Sequence, residues 1–140
     1  MIELCRITPE SFAPYGRVLV WDPAQGQLQV AIEESAGAPW MLATFRVAAH
    51  EVTYLAMHPD SIELFAPLSG IVVLLLAPPE APDSYAAFLL DVPVVINRGV
   101  WHGLCALSDA AILGIAENVE AGGSRRYLDQ PLRVGLVPGT

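Results

Sequence analysis

Short apolar runs separated by turn residues make up most of the chain. The longest run, 71–77, contains seven consecutive apolar residues, starts with β-branched side chains and follows a turn at Ser69 and Gly70. A run of this length and composition between turn signals is typical of a buried strand, not of a helix. We therefore predict that 71–77 is a central strand of a sheet.

The rest of the chain repeats this pattern about every ten residues. Thr8 followed by Pro9 predicts a helix N-cap with proline at the first helical position, and thus one short helical turn. The segment 84–90 is ambiguous and also fits a short helix. Further strands are predicted at 17–21, 27–32, 40–47, 51–57, 62–68, 93–97, 101–107, 110–117 and near 132–137.

Twelve prolines and eleven glycines support many short strands joined by tight turns. About ten strands at this spacing predict an all-β protein, a sandwich or barrel of the jelly-roll kind with a short N-terminal helix. The 140 residues are 54% hydrophobic and 16% charged, so the chain buries a large core. We expect one domain spanning residues 1–140.

The charge of the chain narrows the choice of partners. The formal net charge is -8, and all seven cationic side chains are arginines. Nucleic acids and anionic membranes are bound through clustered cationic residues, so neither is an expected partner. No apolar run is long enough to span a membrane, and only two cysteines occur, Cys5 and Cys105. We expect reduced thiols and a cytoplasmic location.

Candidate chemistry is concentrated at a strand-turn-strand junction. The segment 97–102 reads Asn-Arg-Gly-Val-Trp-His, which places Arg98, Trp101 and His102 beside a turn. The planar guanidinium of Arg98 is suited to binding a carboxylate, and His102 is suited to proton transfer near neutral pH. The alternative is a surface arginine and a structural histidine at a strand edge. Cys105, three residues beyond His102, should face the opposite side as a buried structural thiol.

A second candidate is the pair His58 and Glu63, five residues apart. Side chains at an odd separation lie on opposite faces of a strand, so the pair converges only if the turn at Pro59 resets the alternation. Together with His102 they would form a two-histidine, one-carboxylate site for a divalent metal such as Mn, Fe, Ni or Zn. The alternative is a surface histidine and a solvated glutamate.

Several motifs together resemble one known family. They are the His-Pro pair at 58–59, Phe-Ala-Pro-Leu at 65–68, Pro-Asp at 82–83, the 97–102 segment, and Phe-Ala-Pro-Tyr-Gly-Arg-Val at 12–18. The chain resembles the ureidoglycolate lyase family, formerly called ureidoglycolate hydrolase, a branch of the cupin superfamily.

The resemblance implies a cupin-type jelly roll that forms a homodimer. It also implies cleavage of ureidoglycolate to glyoxylate and urea, in purine or allantoin breakdown. In this interpretation a small carboxylate substrate is held by Arg98, with Asn97 and Trp101 as further substrate-binding residues. The catalytic residues would be His102, Glu63 and His58.

The chain departs from the family pattern at several positions. Met57 replaces an arginine, Glu63 a glutamine, Asn97 a histidine, and Gly103 a second histidine. General cupins often use a histidine, a glutamate and a further histidine as metal ligands, and Ala56 stands where one more histidine usually lies. Three functions remain open: a lyase-like enzyme, a metal-binding cupin enzyme with another substrate, and a cupin that binds a small acid without turnover.

Overall fold

The computed structural model describes residues 1–34 and 37–135. Within these residues the chain forms one short helix and twelve strands. In chain order they are β1 Ile2–Arg6, α1 Pro9–Phe12, β2 Gly16–Val18, β3 Trp40–Val47, β4 Val52–Met57, β5 Glu63–Ser69, β6 Val72–Ala77, β7 Ala86–Leu89, β8 Val94–Ile96, β9 Trp101–Ala106, β10 Ala111–Asn118, β11 Ser124–Leu132 and β12 Val134–Gly135.

The strands form two sheets. One has seven strands in the order β11-β4-β9-β6-β7-β1-β12, and the other has five in the order β2-β8-β5-β10-β3. Strands β8 to β11 belong alternately to the five-stranded and the seven-stranded sheet. Strand β5 of the five-stranded sheet likewise lies in sequence between β4 and β6 of the other sheet. This connectivity confirms the predicted all-β jelly-roll barrel.

The predicted N-terminal helix is also confirmed. Thr8 accepts a hydrogen bond from the backbone N–H of Ser11, and the Ser11 hydroxyl accepts one from the backbone N–H of Thr8. Two otherwise unpaired donors are thereby satisfied. The helix buries Phe12 completely, 5.4 Å from the ring of Phe88. Its role is to fasten the start of the chain to the core.

Strand β6 lies at the centre of the seven-stranded sheet, as the sequence predicts, and all six of its residues are buried. Leu74 and Leu76 face the core between the sheets, whereas Val73 and Leu75 pack on the opposite face with Cys105. Both faces of this strand are covered, which explains its continuous apolar sequence. Cys105 is fully buried on the outer face, as expected for a structural thiol.

The prediction of a strand at 27–32 is wrong. Leu28 and Val30 alternate with polar residues there, but both are largely exposed and no strand pairs with them. An alternating pattern forms a strand only where a partner completes the backbone hydrogen bonds. The ambiguous segment 84–90 contains strand β7 and no helix, because it pairs with both β6 and β1.

Two strands are absent from the sequence prediction. Strand β1 is short and pairs in parallel with β7 and β12. Strand β11 lies at the edge of its sheet and most of its side chains are exposed, so its largely polar sequence gives no apolar signal. Of the predicted last stretch, residues 136 and 137 lie outside the described residues. No helix among the described residues is long and apolar enough to cross a membrane.

Candidate functional site

The three residues of the candidate metal set come together between the two sheets. His58 directly follows β4, Glu63 opens β5, and His102 is the second residue of β9. Glu63 Oε2 lies 3.5 Å from His58 Nε2 and 3.0 Å from His102 Nε2. The chain reverses between His58 and Glu63 and changes sheets, so the alternation of a single strand does not separate them.

This cluster is largely shielded from solvent. Glu63 is 4% exposed and His102 is 7% exposed, whereas the His58 side chain is 20% exposed. The edge of Phe65 packs against the His102 ring, with ring centroids 5.7 Å apart. Charged groups are almost never buried to this extent unless they are paired with another charge or a metal.

Backbone carbonyls orient both imidazole rings. His58 Nδ1 lies 2.7 Å from the Gly122 carbonyl oxygen, and His102 Nδ1 lies 3.2 Å from that of Val100. A carbonyl oxygen only accepts, so each Nδ1 carries the proton and donates it. In its neutral form, each ring would direct the lone pair of Nε2 toward Glu63, the arrangement found for histidines that bind metals.

The contact to His58 depends on Gly123. Its φ is +133°, and a Cβ built there would lie 2.2 Å from the Met57 carbonyl oxygen and 2.9 Å from His58 Nδ1. A side chain at this position would push the loop away from the imidazole. Glycine thus allows the Gly122 carbonyl to reach the ring.

Two carboxyl groups and two imidazole rings meet at the centre of the cluster. Oε2 of Glu63 and Oε2 of Glu117 are buried, and no described residue donates a hydrogen bond to either atom. The Nε2 atom of His102 is within ion-pair distance of Glu63, but in the neutral ring it offers a lone pair and not a proton. Such a centre is stabilised by protonation of a ring, by protonation of Glu117 with a hydrogen bond to Glu63, or by a bound cation.

The arrangement fits a divalent metal. One ligand atom from each of His58, Glu63 and His102 lies within 4.8 Å of the other two. Glu63 Oε2 lies 3.5 and 3.0 Å from the two Nε2 atoms, separations that bonds of about 2.0 to 2.2 Å from one ion to nitrogen and carboxylate oxygen would span. The donor set of two imidazoles and one carboxylate is compatible with Zn, Mn, Fe or Ni and does not select among them.

Glu117 is a fourth member that sequence reasoning missed. Its Oε2 lies 3.5 Å from His58 Nε2, and its side chain is 14% exposed. Burial, and next the negative charge of Glu63, raise the pKa of this carboxyl above its ordinary value. The sequence signal that marks it is an acidic residue directly after the apolar run 111–116 of β10.

The cluster opens into a cavity of about 610 Å³ between the sheets. Its walls come from β3, β4, β5, β9 and β10, and from the start of β11. Besides the four polar residues of the cluster, Phe45, Tyr54, Ala56, Phe65 and Arg125 line it. Apolar and aromatic walls with a few convergent polar groups are typical of a small-molecule site.

Of the described residues that line this cavity, none is Asn97, Arg98 or Trp101. Arg98 pairs with Glu34, and its Nε donates a hydrogen bond to the Asp60 carbonyl oxygen at 3.3 Å. The side chain of Asn97 is exposed. The structure thus does not bring these residues to the histidine cluster, and their substrate-binding role stays a prediction.

Trp101 precedes His102 on β9 and packs with the apolar cluster on the outer face of the sheet. The guanidinium carbon of Arg126 lies 5.9 Å from its ring. Gly103 follows His102, and a Cβ there would lie 2.6 Å from Val52 Cγ1. The histidine of the family pattern therefore has no room at position 103 in this packing.

A larger groove of about 970 Å³ lies beside the segment 17–34. It is lined mainly by apolar side chains, including Trp21, Leu28 and Trp40, and no histidine is among its described lining residues. Volume alone does not make it the better candidate, because it lacks a cluster of buried titratable groups.

No protein-family model matches the chain, but one curated protein is similar to it over most of its length. The chain is 27% identical over 156 residues to a ureidoglycolate lyase from Burkholderia cepacia, an alignment that spans 93% of this chain and 85% of the relative. The resemblance to ureidoglycolate lyase is confirmed.

A solved structure supports the fold. The chain is similar to the dTDP sugar isomerase from Desulfovibrio desulfuricans G20, with a TM-score of 0.57 and 17% identity. The similarity covers 82% of this chain and 83% of that chain. At this identity it supports the architecture and not the activity. The cupin-type barrel predicted from the sequence is thereby confirmed.

Proposed function

We propose that this cupin is a ureidoglycolate lyase-like enzyme that cleaves ureidoglycolate to glyoxylate and urea. The observation that carries the proposal is the buried cluster of His58, Glu63, His102 and Glu117 inside a cavity of small-molecule size. The Burkholderia cepacia relative supports a lyase-like function at the family level, and the substrate is part of the proposal.

The reaction is the collapse of a carbinolamine. A base removes the hydroxyl proton of the substrate, the carbon–oxygen bond becomes a carbonyl, and the carbon–nitrogen bond breaks. The departing nitrogen takes a proton and leaves as urea. The chain must therefore accept a proton at one atom and deliver one at another, within reach of the same substrate carbon.

Glu117 is the residue best suited to move that proton. Its raised pKa brings both the acid and the carboxylate closer to use near neutral pH than for an ordinary glutamate. In the proposal, Glu117 accepts the hydroxyl proton and returns it to the departing nitrogen. Phe65 excludes water from one side of His102, which keeps the cluster in a fixed arrangement.

His58, Glu63 and His102 would hold a divalent metal in the active protein. Such an ion supplies Lewis acidity, which polarises a substrate oxygen and eases loss of its proton. The backbone carbonyls of Gly122 and Val100 hold the two rings in the tautomer that such binding requires.

A second candidate is a metal-binding cupin enzyme that acts on another small acid. It is favoured by Glu63, which stands where the family pattern has a glutamine and which contacts both histidines. A carboxylate at this point strengthens metal binding, but it does not identify the substrate. A cupin that binds an acid without turnover is the third possibility from the sequence.

Activity measurements separate these candidates. Purified protein is incubated with ureidoglycolate, and glyoxylate and urea are measured together with the metal content. We expect equimolar products and a loss of at least about 100-fold in kcat/KM for His102→Ala. His50→Ala is the matched control, because His50 bonds to the Ala106 carbonyl and does not line the cavity.

Absence of turnover above the uncatalysed rate in folded protein, both as purified and after incubation with added metal, would reject the lyase proposal. Bound metal would then favour the second candidate, and absence of metal would favour simple binding. One domain spanning 1–140, a homodimer and a cytoplasmic location stay predictions that accompany this proposal.

A further inference from the structure

Three residues on neighbouring strands form a row across the inner face of the seven-stranded sheet. Arg125 on β11 pairs in register with Ala56 on β4, and Ala56 pairs with His102 on β9. Residues directly opposite one another on antiparallel strands share a face, so all three side chains point toward the cavity. With strands 4.7 to 4.9 Å apart, the Cα atoms of Arg125 and His102 are about 10 Å apart.

Ala56 leaves the middle of this row open. Its methyl group occupies the position where general cupins place a further histidine, directly beside His102. A small side chain there leaves space above the sheet between the guanidinium of Arg125 and the imidazole of His102. Both residues line the same cavity.

Tyr54 supports Arg125 without neutralising it. The guanidinium carbon of Arg125 lies 4.9 Å from the centre of the Tyr54 ring, which lies on the same face of β4 as Ala56. Stacking on an aromatic ring positions a cation and leaves its N–H groups free to bind another partner. Among residues 1–34 and 37–135, no carboxylate forms an ion pair with Arg125. Three other arginines do form ion pairs: Arg98 with Glu34, Arg126 with Asp83, and Arg133 with Glu51.

A positive side chain that is free to pair would help this cavity to bind an organic acid. The chain carries a net charge of -8, and Glu51, Glu63 and Glu117 line the same cavity. A divalent ion at the histidines would offset part of this charge, and a guanidinium in the same row would offset more of it where the carboxylate binds. Arg46 also lines the cavity, but it is the neighbour of Phe45 on β3. Phe45 pairs with the core residue Leu113 and faces inward, and adjacent residues of a strand face opposite sides. The side chain of Arg46 thus starts on the outer face of its sheet.

We propose that Arg125, stacked on Tyr54, binds the carboxylate of the substrate above Ala56. This inference rests on the proposed function for the identity of the substrate, and it assigns to Arg125 the role that the sequence had suggested for Arg98. The planar guanidinium forms two parallel hydrogen bonds with the carboxylate, and the rest of the acid extends toward His102 and Glu117.

The test compares a carboxylate with its uncharged amide. Binding of glycolate and of glycolamide is measured by calorimetry on the protein as purified, with the metal content determined for every variant. We expect the parent to bind glycolate at least about tenfold more tightly than glycolamide. Arg125→Ala should reduce this preference to within about twofold, and Arg125→Lys should retain an intermediate preference because it keeps the charge and loses the planar fork.

Arg6→Ala is the matched control, since it removes one exposed positive charge outside the cavity, and Arg98→Ala tests the arginine that the sequence had suggested for this role. They should keep the full preference for glycolate. Equal loss in Arg98→Ala, an unchanged preference in Arg125→Ala, or no preference in the parent would each overturn the assignment. Arg125 is exposed, so the variant should fold, which its melting temperature will verify.

Turnover gives an independent readout. With ureidoglycolate, Arg125→Ala should raise KM by at least about tenfold and lower kcat much less, because the guanidinium contacts the acid in the ground state and the transition state alike. If ureidoglycolate is not cleaved but the glycolate preference still depends on Arg125, the proposed function fails and the carboxylate site stands.

Discussion

The barrel cavity around His102 and the larger groove beside the segment 17–34 are both concave, but they are built differently. The groove exposes apolar side chains such as Trp21, Leu28 and Val30, which are 60%, 86% and 63% exposed. The cavity buries two carboxylates and holds two oriented imidazoles. Buried polar groups without hydrogen-bond partners, and not cavity volume, therefore identify the candidate active site.

The two regions also differ in how firmly the backbone is held. The cluster residues belong to β5, β9 and β10 or directly follow β4, and each of these strands lies inside its sheet, bonded on both sides. The residues 27–32 beside the groove pair with no strand. Catalytic geometry needs side chains held to within about 0.5 Å, which interior strands provide and a loop without paired strands does not.

The largest expected difference between the two regions is in stability. Phe65→Ala removes a ring that is 1% exposed and supports His102, and it should lower the free energy of unfolding by about 3 to 5 kcal/mol. Leu28→Ala in the groove should change it by less than about 0.5 kcal/mol. Urea unfolding monitored by circular dichroism measures both. Similar losses for the two variants would show that the groove is part of the core.

The second difference concerns metal. Metal that binds only the folded state stabilises it by mass action, about 2.7 kcal/mol at a free concentration 100 times Kd. Thermal unfolding with added manganese, nickel or zinc should show this stabilisation in the parent and in His50→Ala. His102→Ala should lose most of it, because one of three ligands is gone. Equal melting temperatures with and without metal in the parent, together with no bound metal, would contradict the metal site.

The smallest effect concerns pH. The raised pKa of Glu117 means that the folded protein binds a proton more tightly than the unfolded chain does. This contribution to stability is therefore present below the ordinary glutamate range and is lost as the pH rises through the folded-state pKa. In metal-free protein, the parent should lose stability with rising pH more steeply than Glu117→Gln in that window. Parallel curves of unfolding free energy against pH would contradict a shifted Glu117.

Much of the fold is readable from short stretches of sequence. The capping pattern at Thr8 and Pro9 needs only four residues to be satisfied, and the helix forms where it was predicted. The apolar run 71–77 identifies a central strand because a strand buried on both faces requires apolar residues at every position. Strand β11 escapes this reasoning, since it is held by backbone pairing with β4 and most of its side chains are exposed.

The candidate site was predictable only in part. His58, Glu63 and His102 stand out in the sequence, because the chain has only three histidines and a glutamate near a histidine is suited to binding the same metal. Glu117 and Arg125 were missed. Each lies far along the chain from the histidines and enters the site through strand register, which no local pattern encodes.

The order of residues along the chain is enough to indicate which segments are apolar enough to become interior strands, where the helix begins, and which side chains can bind a metal or move a proton. Which of these side chains meet depends on the fold. It placed Glu63 between two histidines from the opposite sheet, paired Arg98 with Glu34, and left Arg125 facing the cavity. The physical reason is that strand pairing and register set the position of every side chain across a barrel, and they arise from contacts between distant parts of the chain.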